Sequence, residues 1–304
     1  MRRLVFLVFA CIVCILASSC QYIGKITRVG TNIAVATGTM DEDRAQEINQ
    51  QADALAKSFQ EITPEQEYYI GRAVAAVVLN DYQPYDSEAA GNYVNVLGQS
   101  LVLSSERPMT FGGYHFLILD SKEINAFAAP GGLIFVTRGM LNRAANEDEV
   151  AAILAHEIAH IELKHGLQSI KKSRLTTAIT DIAVSAAENS RNERLAELSS
   201  EFGGSIKDIT STLVNNGYSR AFELEADESA VAMLESLGYD PKALMRVLRK
   251  MAFRQLLRRE GFAKTHPKPW SRIGNIRSSI SKSYTPAEAP RQRRVRYRAA
   301  MKKV

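Results

Sequence analysis

Apolar and polar positions repeat with two periods along the chain, and the switch between them marks its elements. From 41 to 60 the chain is polar, with Ile48, Ala52, Leu55 and Phe59 at spacings of four, three and four. That period predicts an amphipathic helix. Thr63, Pro64 and Gln66 then form a helix start. Thr caps, Pro takes the first helical position, and Gln three residues after Thr completes a capping box. This helix is expected to run through Tyr69, Ala73 and Val77 toward Asn80, with another across 87–103. The run YHFLIL at 114–119 breaks the helical period and reads as a strand. Pro130, Gly131 and Gly132 force a turn into a second strand, Leu133–Thr137, and Pro and Gly before a strand suit a sheet edge. From Asn146 to about Lys250 the pattern is helical again. Pro267 and Pro269 read as a loop. Residues 21–40, rich in Gly, Thr and small apolar side chains, read as a tether or a loosely packed arm. The fold class predicted is α+β, mostly helical with a small sheet.

The N-terminus adds an address. Arg2 and Arg3 precede a charge-free apolar run from Leu4 to Ala17. That run is shorter than the roughly 20 residues a membrane-spanning helix needs, and it fits the apolar core of a secretory signal. Ala17, Ser18 and Ser19 lead into Cys20, which resembles a bacterial lipobox, where a lipid is attached to the cysteine and the chain is cut before it. The organisation expected is a signal peptide at 1–19, a tether and N-terminal helix at 20–61, one domain at 62–284 and a basic tail at 285–304. The expected location is the cell envelope, with a membrane anchor at Cys20 facing the periplasm. Gln21 after Cys20 resembles outer-membrane sorting signals.

All three cysteines, Cys11, Cys14 and Cys20, lie in this leader. The body therefore offers no thiol, and a metal site there must use His, Asp or Glu. The net charge of +5 is uneven. The two ends hold Arg2, Arg3, Arg291, Arg293, Arg294, Arg296, Arg298, Lys302 and Lys303 and no acid, so the body between them is mildly acidic. That distribution excludes a globally basic nucleic-acid binder. With Pro286 and Pro290 beside it, the basic end is expected to be disordered and solvated, or in weak contact with anionic lipid.

The chemistry lies in His156-Glu157-Ile158-Ala159-His160. Histidines at i and i+4 leave a helix on the same face, so both imidazoles can reach one metal ion, and the Glu beside them can act as a general base. Ala151, Ala152, Ala155 and Ala159 keep this helix slim enough for another element to pack closely. A catalytic zinc needs a third protein ligand and an open position. His165 is at the wrong spacing for the longer histidine signature, which needs Gly at 163 and His at 166, where Leu163 and Gly166 stand. It reads as a helix-end residue or one that supports a ligand. Glu223, Glu225, Asp227 and Glu228 crowd a later helical stretch. Glu223 and Asp227 share a face, so one can bind metal while the other holds a ligand imidazole.

HEIAH followed by Glu-x-x-Ala-Asp at 223–227 resembles the gluzincin family of the CAAX prenyl protease and HtpX. ITPEQEYYIGRAVAA at 62–76, NAFAAPGGLIFVTRGML at 125–141 and THPKPWSR at 265–272 extend the resemblance over about 62–280. The single exported domain looks most like that family's periplasmic lipoprotein proteases. The resemblance implies a zincin-like domain whose HExxH helix packs on a small sheet. It implies one Zn2+ per chain, bound by His156, His160 and Glu223, with Glu157 as general base and Asp227 orienting a ligand histidine. His266 and Arg272 match the family's His and Arg near the active site, with His266 either steadying the oxyanion or filling zinc's open position in a latent state. Leu133, Ile134, Phe135 and Val136 would form the edge on which substrate adds as a strand. The function implied is a zinc metalloendopeptidase that cleaves misfolded or unassembled envelope proteins, with links to outer-membrane assembly. The alternative is a chaperone-like factor on the same fold that cleaves little.

Overall fold

The computed structural model describes residues 23–58, 62–169, 210–211, 217–255, 266, 269–282, 284–285, 288–302 and 304. The expected signal peptide and Cys20 lie outside the described residues, as does most of the helical pattern between 170 and 216. The chain divides into two compact units, 1–62 with 169–197, and 63–168 with 198–304.

In the first unit, α1 (Ile23–Ala36) and α2 (Glu42–Ser58) form an antiparallel pair. Helix α2 is the one its apolar period predicts. Helix α1 replaces the expected tether. Its polar side chains find partners on α2: Thr31 Oγ1 donates to Asn49 Oδ1 at 2.9 Å, and Arg28 pairs with Asp53. Thr37 and Thr39 then bond back to the Ile33 and Ala34 carbonyls, and Gly38, at φ +69°, turns the chain. Among the described residues no helix is long and apolar enough to cross a membrane.

The second unit begins with α3 (Pro64–Asp81), closed by the predicted capping box. Gln66 N donates to Thr63 Oγ1 at 3.2 Å, and Thr63 N donates to Gln66 Oε1 at 2.9 Å. Next comes α4 (Glu88–Val102), capped by Ser87. The sheet holds β1 (His115–Leu119), β2 (Ala126–Ala129) and β3 (Leu133–Thr137) in the order β1-β3-β2. β1 runs parallel to β3, and β2 is antiparallel to it. Gly131 and Gly132, at φ +80° and +110°, make the turn between β2 and β3, and the Gly131 amide donates to the buried Glu67.

This order corrects the edge expectation. Leu133, Ile134, Phe135 and Val136 lie in the central strand, because the Pro-Gly-Gly turn enters β3 from another strand and β1 covers its far side. The outer position on the β2 side belongs to Ala126–Ala129. Sequence pattern misses β2 because all four of its residues are buried, so no polar alternation marks it.

A short turn of helix, α5 (Arg138–Leu141), leads to α6 (Glu147–Glu162). Asn146 caps α6, and Glu147, Asp148 and Glu149 face its positive end. Residues 147–161 are all buried, so α6 is the axis of the unit. Helix α7 (Arg220–Ser236) packs along it, with Ala226 and Ala230 buried at the contact, and α8 (Lys242–Gln255) flanks it. Pro269 does not sit in a loop but opens α9 (Pro269–Ser279), where its missing N–H costs nothing; Pro267 lies outside the described residues.

The basic end is also corrected. Residues 291–301 form α10 (Arg291–Met301) instead of a disordered tail. Its charges meet acids at the start of α6: Arg296 Nε donates to Glu147 at 2.6 Å, and Arg293 pairs with Asp148 at 3.2 Å. Tyr297 donates to the Ala144 carbonyl at 2.6 Å, and Ala300 is buried.

Candidate metal centre

Helix α6 turns His156 and His160 to one side. Their rings lie 4.7 Å apart at 89°, with the two Nε2 atoms 3.1 Å from each other. Helix α7 brings Glu223 against both: Oε2 lies 3.6 Å from His156 Nε2, and Oε1 lies 3.6 Å from His160 Nε2. The three residues expected as ligands therefore meet. His266 joins them from the chain before α9, with Nδ1 3.1 Å from His156 Nε2 and 3.1 Å from each Glu223 oxygen. One donor atom from each of His156, His160, Glu223 and His266 falls within 4.8 Å of the others, and all four residues are buried.

Glu157 is fully buried beside this group. Its Oε1 lies 3.5 Å from His266 Nε2, and neither of its carboxylate oxygens has a hydrogen-bond partner. A buried carboxylate left this way costs free energy, so its presence calls for a ligand or reactant.

Behind the group lies Arg272 of α9, with no exposed surface. Its Nε donates to Asp227 Oδ2 at 2.8 Å and its Nη2 to Asp227 Oδ1 at 2.6 Å, while Nη1 lies 2.5 Å from Glu223 Oε2. Asp227 in turn lies 3.1 Å from His156 Nδ1. Asp227 thus bridges His156 and Arg272, and Arg272 contacts both Asp227 and Glu223. Tyr218 was not signalled by the sequence, since an aromatic five positions before Glu223 fits no ligand spacing. Its ring stacks on His160 at 4.3 Å and 21°.

The donor chemistry suits zinc. The buried cluster holds three carboxylates, Glu157, Glu223 and Asp227, against one guanidinium, Arg272. A divalent cation would balance that excess of negative charge. Imidazole and carboxylate donors in a set of four match a tetrahedral zinc site. Burial, helped by the neighbouring His156, holds His160 well below the usual histidine range, so it stays neutral as a ligand must. Burial works against ionising Glu223, but His266 and Arg272 outweigh it and keep its carboxyl well below the usual range. Burial raises Glu157 above the usual range despite the nearby histidines. Burial and Arg272 also disfavour a proton on His156, yet hydrogen bonds to Asp227 and Glu223 lift it to about 9 in the metal-free site.

Comparison with known proteins agrees with this chemistry. Residues 88–280 match Peptidase family M48. The beta-barrel assembly-enhancing protease of Yersinia pestis is 30% identical over 61% of this chain and 38% of its own length. Metalloprotease YcaL of Escherichia coli K12 is 24% identical over 83% of this chain and 89% of its own. Metalloprotease LoiP of the same strain is 29% identical over 55% and 63%. The chain thus spans well under half the length of the Yersinia relative. The matched segment contains every residue of the metal group and its supports, and the chain belongs to peptidase family M48.

Proposed function

We propose that the chain is a zinc-dependent endopeptidase of the bacterial cell envelope that cleaves misfolded or unassembled envelope proteins. The observation that carries this reading is Glu157, buried beside the metal group with neither carboxylate oxygen in a hydrogen bond. A structural metal site has no use for such a group, whereas a hydrolase needs a base there.

His156, His160 and Glu223 would hold zinc, which when bound supplies the Lewis acidity for amide hydrolysis. Glu157 takes the proton of the attacking water and returns it to the departing amine. Its raised pKa makes the carboxylate a stronger base for the first transfer. Asp227 fixes the His156 ring, and Arg272 keeps Asp227 and Glu223 in place. The β2 side of the sheet is the outer position nearest the site, since the Ala126 carbonyl lies 3.4 Å from His266 Nε2. A substrate strand laid along β2 would pair through its main chain and so tolerate many sequences.

The lipobox-like Cys20 supports a lipid anchor facing the periplasm, with the outer membrane favoured by Gln21. Similarity to the beta-barrel assembly-enhancing protease of Yersinia pestis supports a tie to outer-membrane β-barrel assembly. One observation favours the second reading, a chaperone-like factor with latent proteolysis: His266 stands inside the donor group and completes a set of four.

The test is zinc content together with cleavage of casein, for the chain from residue 21 and for its Glu157→Gln variant. One zinc in both, with cleavage in the parent alone, is the expected result. Equal cleavage by both would remove Glu157 as the base. Folded protein without zinc would sink the metalloprotease reading.

A further inference from the structure

His160 and His156 are held by different devices. His156 has a carboxylate at its outer nitrogen, Asp227. Nδ1 of His160 instead lies 2.8 Å from Nδ1 of His165, and Nε2 of His165 lies 3.2 Å from Glu225 Oε2. The rings are clamped as well: His160 stacks on Tyr218, and His165 stacks on Phe222 at 4.3 Å and 10°.

We infer that His165 and Glu225 form a relay that fixes the tautomer and the orientation of His160 as a metal ligand. Two nitrogens 2.8 Å apart can share only one proton. His160 turns Nε2 toward Glu223 and His156, and a ligand nitrogen must be bare. Its proton therefore sits on Nδ1 and is donated to a bare Nδ1 of His165. That leaves the His165 proton on Nε2, where it is donated to the Glu225 carboxylate. The opposite assignment fails at both ends. It puts a proton on His160 Nε2, facing the donor group, and sets a bare His165 Nε2 against a carboxylate.

Helix geometry alone would not bring these rings together. At 100° per residue, position i+5 lies about 140° around from i, off the shared face. The chain leaves α6 at Leu163, and Lys164 takes φ 55°, the one positive φ outside glycine among the described residues. This unfavourable backbone swings His165 back over His160, as expected where function holds a strained residue. Helix α7 supplies the rest, since Phe222, Glu223 and Glu225 place the clamp, a ligand and the relay's end on one turn.

The inference rests on the zinc reading, and its test separates the two. Zinc affinity is measured on the full chain by competition with a chromophoric chelator, and the ligand field by the visible spectrum of the Co2+ form. His165→Phe keeps the ring and its stacking but cannot accept the proton. It should weaken zinc by roughly 10- to 100-fold and alter the Co2+ spectrum. His165→Asn, whose Oδ1 sits near the position of the lost Nδ1, should restore most of the affinity. Glu225→Gln should cost less than His165→Phe, because the Glu225 side chain is half exposed. Parent-like zinc affinity in His165→Phe, or no rescue by Asn, would overturn the relay. If the Phe variant does not fold, His165→Leu against His165→Asn makes the same comparison. A parent chain that takes up no zinc would overturn the zinc reading and the relay with it.

Discussion

Nδ1 of His266 lies 3.1 Å from Nε2 of His156, although 110 positions separate the two residues. The same nitrogen reaches the Glu223 carboxylate, so four side chains converge where a catalytic zinc uses three. A site filled in this way has no position for water or substrate until His266 withdraws. His266→Ala should therefore keep one zinc and cleave unfolded protein faster than the parent. A fall in cleavage with zinc retained would instead assign His266 to oxyanion stabilisation.

Glu223 should separate binding from chemistry. Glu223→Ala removes one donor and strips Arg272 of one of its two carboxylate partners. Breaking a buried ion pair costs roughly 3–5 kcal/mol, so the variant should lose both zinc and thermal stability. Glu157→Gln should lose neither, because neither Glu157 oxygen takes part in a hydrogen bond and the nearest cationic group, His266, is also held by Glu223. Metal analysis beside thermal unfolding of the two variants reads the difference. Equal zinc in both would remove Glu223 from the ligand set.

What the sequence made legible was local. The i and i+4 histidines, the Thr63 capping box and the acidic stretch at 223–227 act within a few residues, and each is found where its spacing puts it. The placing of His266 and Arg272 came from resemblance, since nothing in a His before Pro signals a buried group. The misses depended on distant partners. Strand β2 is hidden because Ala126–Ala129 are buried throughout. The basic end looked solvated because the acid that orders Arg296 lies 149 positions away. Helix α1 looked like a tether because the polar partners of Thr31 and Arg28 lie on α2.

Zinc and protons should compete at His156. Its pKa in the metal-free site is raised from 6.5 to about 9. A raised histidine stabilises the fold fully below its unfolded value, and that stability is lost as pH rises through the folded value. The metal-free chain should thus become less stable from about pH 7 to 9.5, whereas zinc, which needs the neutral ring, should remove this dependence. At pH 7, zinc uptake should release about one proton from this ring. Calorimetry in buffers of different ionisation enthalpy counts that proton. Zinc uptake with no proton released would mean that His156 is already neutral.

The C-terminal helix should hold the start of the active-site helix. Glu147 is buried at the first turn of α6, where it accepts from Tyr239 at 3.0 Å, Tyr93 at 3.3 Å and Arg296 Nε at 2.6 Å. The tyrosines satisfy its oxygens, but Arg296 is its nearest cation, with Arg293 at 3.9 Å. Half of the Arg296 side chain is exposed, so solvent weakens the pair, and Arg296→Ala should cost only about 1–2 kcal/mol. In a unit of this size that lowers the melting temperature by roughly 2–8 °C. Removal of 291–304 should cost more, because the buried Ala300 and the Tyr297 and Met301 side chains packed against the core leave with it. Glu147→Gln should make the Arg296 substitution nearly silent, since the charge that needed the cation is gone. Additive losses in that double mutant would mean that Arg296 acts through packing and not through Glu147.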